Sequence, residues 1–356
     1  MKVILANPRG FCAGVYMAVD VVDQILALCP DEPIYVYHEI VHNRHVVRRF
    51  EERGVTFINH IDEVPADSIV VFSAHGISPA VRQAARQRRL TAIDATCPLV
   101  TKVHMEAIRY ARDGYQILLI GHSGHDEVVG TVGEAPDSIL VVESPADIPN
   151  LKIRNPNRLV YLTQTTLSLD DAEVIIRALR EAFPKVKAPP SDDICYATTN
   201  RQTAVRCIAP DCDLVLVVGS RNSSNSVRLT EIAEAAGTRA YLLDDMSELR
   251  SEWFEGVESV LITSGASAPE DLVREILAEL IERYDAVVQQ YDVYDEQVEF
   301  GLPQSLKELM RGRGVDPTGR TITLDHSSGI VDWLHERGGA VEPVRITISA
   351  PARAGA

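Results

Sequence analysis

The chain is predicted to fold as α/β, with three similar small domains built from one module used three times. Three observations carry that expectation. Strand-like and helix-like patterns alternate from Val3 to about Tyr284, the signature of mostly parallel sheets. A cysteine opens each copy of the module, Cys12 in NPRGFCAG, Cys97 in DATCPLV and Cys195 in DDICYATTN, and an amphipathic helical pattern follows each. The distance from the cysteine into the next polar loop is nearly constant. Cys12 precedes His42 by 30 residues, while Cys97 precedes His125 and Cys195 precedes Ser223 by 28 each.

Taken in order, the first copy places Val15, Val19, Val22 and Leu26 at helical spacing behind Cys12. The apolar run IYVY (34–37) follows and ends in the polar loop HEIVHN; IVVF (69–72) then ends in SAHGISP. The second copy has Val100, Val103, Ala107 and Ala111 on its first helix, then ILLI (117–120) with GHSGHDE, and LVYL (159–162) with TQTTLS. In the third, LVLVV (214–218) ends in GSRNSSNS and VLI (260–262) in TSGASAP. Proline after Ser78 and Ala268, and the Asp170-Asp171 pair, mark further helix starts. A period of about 90 residues is too long for a solenoid unit and suits a small α/β domain. Domains are therefore expected at 13–97, 98–194 and 195–284, with residues 1–12 lending a strand to the third. A short segment, 285–303, continues from these. Beyond about Pro303 the pattern is lost. The stretch 304–356, rich in Gly, Pro and Arg with short RTITL and VRITI runs, is expected to be an appended tail, partly disordered.

Composition narrows the class. With 46% hydrophobic and 24% charged residues the chain is ordinary for a globular protein. No apolar run approaches the roughly 20 residues that span a bilayer, and MKVILANPRG lacks a signal-peptide layout. A cytoplasmic location is expected, so the six cysteines should be thiols or ligands rather than disulfides. The net charge of −16 argues against general nucleic-acid binding, which needs basic surface. A small anionic ligand stays possible, because a local pocket can oppose the global field.

In open α/β sheets ligands bind beyond the C-terminal strand ends, so the module pattern directs six polar loops and three thiols to one central cavity. A single cysteine is most simply a buried small hydrophobe. Three at matched strand-to-helix turns, where backbone N–H groups stabilise thiolates, point instead to a metal centre: an iron–sulfur cluster or zinc. Cys29 reads as core, and Cys207 with Cys212 is only a weak C-x4-C. His42, His75 and His125 occupy the loops, joined at matching positions by Thr165, Thr166, Ser223, Ser224, Asn225 and Ser267. Such donors at helix N-termini suit phosphate groups, although helix capping accounts for some of them. Glu127, two residues past His125, is either a favourable first-turn carboxylate or a proton donor beside a metal. Asp126 reads as a helix-start carboxylate.

The motifs ANPRGFCAGV, HEIVHNR, FSAHG, DATCPLVTKVH, GHSGHDEVVGT, TQTTLS, DDICYATTNRQ, VVGSRNSSNS and SGASAP together resemble those of the 4-hydroxy-3-methylbut-2-enyl diphosphate reductases, from Met1 to about Pro303. The tail beyond departs from that family's usual short ending. The resemblance implies three α/β domains in a pseudo-threefold trefoil around one central 4Fe–4S cluster per subunit, held by Cys12, Cys97 and Cys195. It implies diphosphate binding by His42, His75, Ser223, Asn225 and Ser267 with Ser224 close by. His125, Glu127 and Thr165 would serve the substrate hydroxyl, with Thr166 flanking and Glu127 as the catalytic acid. The implied reaction is reductive removal of an allylic hydroxyl held on the unique iron, giving isopentenyl and dimethylallyl diphosphates, with electrons from ferredoxin or flavodoxin and its reductase. Two other classes fit parts of the pattern: a zinc hydrolase using the H-x-x-H of GHSGHDE, and a non-catalytic iron–sulfur sensor.

Overall fold

The structure is a computed structural model, described over residues 1–318, 321–322, 330, 332–334 and 342–345. Its strands are β1 (Lys2–Asn7), β2 (Ile34–Tyr37), β3 (Val55–Ile58), β4 (Ile69–Phe72), β5 (Thr91–Asp94), β6 (Gln116–Ile120), β7 (Ile139–Val142), β8 (Leu159–Thr163), β9 (Leu214–Val218), β10 (Arg239–Leu243), β11 (Ser259–Ser264), β12 (Val287–Asp292), β13 (Phe300–Gly301), β14 (Thr321–Ile322) and β15 (Glu342–Arg345). The α-helices are α1 (Ala13–Leu28), α2 (Arg44–Glu51), α3 (Pro79–Gln87), α4 (Pro98–Arg112), α5 (Asp126–Glu134), α6 (Leu169–Ala182), α7 (Tyr196–Ile208), α8 (Ser224–Ala235), α9 (Glu270–Tyr284) and α10 (Gln304–Gly312).

Two compact units share the chain. The first comprises residues 1–10, 199–297 and 325–356; the second comprises residues 11–198 and 298–324. In the first unit one parallel sheet runs β10-β9-β11-β1-β12-β15, so the N-terminal strand sits between β11 and β12. Every residue of β9 is buried, as expected where helices cover both faces of a parallel sheet. Ile276, Leu277 and Leu280 of α9 pack with β9 and β11 on one face, and Ala204, Val205 and Leu229 cover the other.

The second unit contains two parallel sheets, β3-β2-β4-β5 and β7-β6-β8, one from each of the stretches 13–97 and 98–194. Their helices begin as the sequence signals dictate. Asn43 caps α2 by accepting from His45 and Val46 N–H, Ser78 precedes Pro79 at α3, and Ser168 caps α6. Cys29 closes α1 and is buried in the core, which agrees with its reading as a packing residue.

The tail differs from its expectation. Helix α10 lies within the stretch read as an appendage, yet Leu306 and Met310 are fully buried against a core that includes Ile25, Phe50 and Ile93. Asp94 N–H donates to Ser305 Oγ at 3.0 Å, and Arg313 at the end of α10 pairs with Glu32. In the first unit Ile330 and Leu334 are also core residues. The reason is amphipathicity on a short scale: Leu306, Leu309 and Met310 make one apolar stripe on a nine-residue helix that is otherwise polar. Of RTITL and VRITI, only Thr321–Ile322 and Val344–Arg345 fall among the described residues.

Candidate active site

Each of the three repeat cysteines stands at the start of a helix. Cys12 is the N-cap of α1, Cys97 the N-cap of α4, and Cys195 immediately precedes α7. All three belong to the second unit and are partly exposed. Strand ends fix their backbones: Cys97 N–H donates to Ala74 O and Cys195 N–H to Thr165 O, both at 3.0 Å. The sulfurs face unpaired helix donors. Leu99 and Val100 N–H point at Cys97, and Thr198 N–H approaches Cys195 Sγ at 3.4 Å with its hydroxyl at 3.2 Å. These donors do not suffice to ionise them. Burial pushes Cys97 far above the ordinary thiol value, and negative charge on Cys12 and Cys195 adds to it. Burial, then Cys12, raises Cys195 to about 11.

Glu127, on the first turn of α5, is buried at 2% exposure. Thr165 N–H donates to its Oε1 at 2.7 Å and Thr165 Oγ1 to its Oε2 at 3.0 Å. Desolvation nonetheless dominates and lifts its pKa to about 7. Thr165 thus touches both the carboxyl and, through its carbonyl, the Cys195 loop. Asp193 braces that loop, accepting from Thr163 N–H and from Lys102 Nζ at 3.1 Å each. Gln164 holds the loop from the other side. Its amide donates to Thr166 Oγ1 and accepts from His122 N–H.

The loop histidines converge. His42 and His75 stack with ring centroids 3.9 Å apart, and His125 meets them edge-on at 5.2 and 5.9 Å. His125 caps α5, its Nδ1 accepting from Glu127 N–H at 3.2 Å. Burial, then repulsion by His42, holds His125 down at about 4. The same causes, with His125 adding to the repulsion, keep His75 well below the usual imidazole range. His75 Nδ1 is buried without a partner. Gly76 beside it has φ +81°, and a Cβ there would press within 3.1 Å of the His104 ring. His104 is in turn fixed by Glu134 at 3.0 Å, which also takes Arg82 at 2.7 Å.

Among the first unit's candidates, Ser223 caps α8 and its Oγ accepts from Ser267 Oγ at 3.3 Å. Asn225 is buried at 4% exposure with neither amide atom partnered. Ser224, the first residue of α8, is half-buried.

Residues 3–281 match the model of the LytB protein family. The chain belongs to the LytB family. It is 55% identical over 307 residues to the 4-hydroxy-3-methylbut-2-enyl diphosphate reductase of Rhodopirellula baltica, covering 86% of this chain and 96% of that one. With the reductase of that name from Acidothermus cellulolyticus it shares 53% over 323 residues, 90% and 94% of the two chains. A solved structure described as the E-1-hydroxy-2-methyl-but-2-enyl-4-diphosphate reductase from Plasmodium falciparum superposes with a TM-score of 0.85 at 40% identity, covering 88% of this chain and 99% of its own.

In this LytB chain the thiol set fits a cationic inorganic group. Cys97 and Cys195, raised by burial and by the neighbouring thiols, stay protonated unless positive charge is brought among the three sulfurs, and the helix N-termini already favour the anionic form. Space is kept by Gly14, where a Cβ would lie 2.5 Å from Cys97 Sγ and 4.0 Å from Cys12 Sγ. The H-x-x-H reading finds no such support. Among the described residues the close His/Asp set is His42, His75 and Asp126, with neither His122 nor His125.

Sequence reasoning missed three contributors. Gly14 carried a signal, a glycine on a first helical turn where alanine is the better helix former. Asp193 carried none beyond its place two residues before Cys195. Asp126, read as a helix-start carboxylate, forms an ion pair with His38 at 2.8 Å.

Proposed function

We propose that the chain reduces (E)-4-hydroxy-3-methylbut-2-enyl diphosphate to isopentenyl and dimethylallyl diphosphates, the final step of the non-mevalonate pathway, in the cytoplasm. One 4Fe–4S cluster per subunit is held by Cys12, Cys97 and Cys195. The observation that carries this reading is the presence, in one unit, of three helix-start thiols and a buried carboxyl, Glu127, poised near neutrality. Removal of the allylic hydroxyl as water takes two electrons and two protons. When bound, the cluster supplies the electrons singly and a Lewis-acidic iron for the leaving oxygen.

The chain's own residues supply protons and binding. With its pKa at about 7, Glu127 is half protonated at neutral pH and can both release and regain a proton. Thr165, bonded to both carboxyl oxygens, fixes its orientation and extends it by one hydroxyl. His125, two residues before this carboxyl, and Thr166, next to Thr165, serve the same end of the substrate. Burial and the neighbouring histidines hold His75 well below the usual imidazole range without a ligand; a diphosphate raises imidazole pKa values, so His75 gains proton affinity as the anion binds beside it and His42. For Ser223, Ser224, Asn225 and Ser267 we propose the diphosphate-donor role, supported by the unpartnered Asn225 amide and the α8 N-terminus. Electrons arrive from outside the chain, from ferredoxin or flavodoxin with its reductase.

Anaerobic isolation tests this reading. Iron and acid-labile sulfide should be present in 4Fe–4S stoichiometry by Mössbauer and chemical analysis, and Cys195→Ser should strip most of both. A colourless protein with stoichiometric zinc, or a fully iron-loaded and active Cys195→Ser, would overturn it.

A further inference from the structure

The first loop after β2 and the start of α5 are joined by a contact that the proposed reaction does not use. His38 stands at φ +58°, a backbone conformation that non-glycine residues seldom adopt, and strain of this kind gathers at functional sites. Its ring stacks on Tyr37 at 4.2 Å, and its Nδ1 meets Asp126 Oδ1 at 2.8 Å. The same carboxylate lies in a set with one ring nitrogen each of His42 and His75, all within 4.8 Å of one another. A half-buried negative charge therefore stands beside the stacked pair expected to receive a diphosphate. By charge alone that placement is unfavourable to an anion.

We infer that Asp126, oriented by His38, is a positioning residue that favours proton uptake by the His42–His75 pair as a diphosphate binds. The role rests on the diphosphate reading of these histidines. The pair has other titratable neighbours, and their signs matter. Glu39 reaches His42 Nδ1 at 3.2 Å and acts in the same direction as Asp126. His125, His38 and, more remotely, His122 act in the opposite direction, and Glu127 adds negative charge only above about pH 7. Asp126 itself stays ionised against the cost of burial, because His38, His42 and His125 hold it below the usual carboxylate range. The sign of its action follows. Removing its charge lowers the affinity of the pair for protons, so diphosphate binding is lost at a lower pH.

Inorganic diphosphate, titrated calorimetrically into the holoenzyme between pH 5.5 and 8.5, is the probe. For Asp126→Asn, which keeps the hydrogen bond to His38, the alkaline limb of binding should fall by about one pH unit, the low end of the shift produced by an opposite charge within 4–6 Å. Affinity at pH 7 should drop about tenfold, with KM for substrate raised and kcat within about twofold. Asp126→Glu should restore the limb. His38→Asn suits the left-handed backbone and leaves the carboxylate without its compensating imidazolium, so it should move the limb upward. A limb unchanged in Asp126→Asn, or equal downward shifts in Asp126→Asn and His38→Asn, would overturn the inference, since only loss of the contact would then matter. Absence of competition between inorganic diphosphate and substrate in the unmodified enzyme would sink the diphosphate reading itself.

Discussion

Gly14→Ala separates two effects of opposite sign. Gly14 lies on the first turn of α1, where alanine is worth up to about 1 kcal/mol more than glycine as a helix former. Propensity alone predicts a slightly more stable protein. The added Cβ, however, would lie 2.5 Å from Cys97 Sγ, against 3.4–4 Å for ordinary contact, so the sulfur must retreat by about 1 Å or rotate away. Relief of such overpacking costs about 1–3 kcal/mol, which roughly offsets the helical gain, and unfolding of the metal-free protein should shift by no more than a few degrees. Ligation is far less forgiving, because ligand distances tolerate only about 0.2 Å. Cluster content should therefore fall below half while the fold survives. Iron and sulfide per chain, absorbance at roughly 400 nm where thiolate–iron charge transfer is expected, and a melting curve of the metal-free protein read the two effects apart. Full iron occupancy with normal turnover in Gly14→Ala would refute the view that this glycine makes room for the ligand set.

Replacing Glu127 by Gln keeps the hydrogen-bonding frame and removes the exchangeable proton. Single-turnover reduction by the chemically pre-reduced enzyme should slow about 10²–10⁴-fold. Burial lifts this acid to about 7, so its protonated form is present below that pH and lost above it. The unmodified enzyme should therefore slow as pH rises through about 7, and Glu127→Gln should lack that limb. Leu306→Ala or Met310→Ala should each cost about 2–5 kcal/mol, read as a lower denaturant midpoint with unchanged slope, because both side chains are fully buried. Truncation after Pro303 should destabilise more than either, contrary to what a detachable tail would show.

Much of this protein is written locally. Alternation of period 2 and 3.6 marks strands and helices, Ser78-Pro79 and Asn43 mark helix starts, and the three cysteines can be placed at helix starts because each precedes an amphipathic pattern. These signals need only neighbours in the chain. Tertiary structure alone decided the pairings across distance. Glu127 reaches Thr165, 38 residues away, because β6 and β8 are adjacent strands whose C-terminal ends open side by side. His38 reaches Asp126 across 88 residues, and that contact turns a simple helix-start carboxylate into a charge beside the histidine pair. Strand order placed β1 between β11 and β12, and core packing gave the short apolar stripe of Leu306, Leu309 and Met310 a partner that the stripe itself does not name. The physical reason is the same in each case. Periodicity and capping report which face of an element is apolar and where it begins, whereas the partner of that face, and the desolvation that sets the acidity of Glu127 and the cysteines, exist only once the sheets have been assembled.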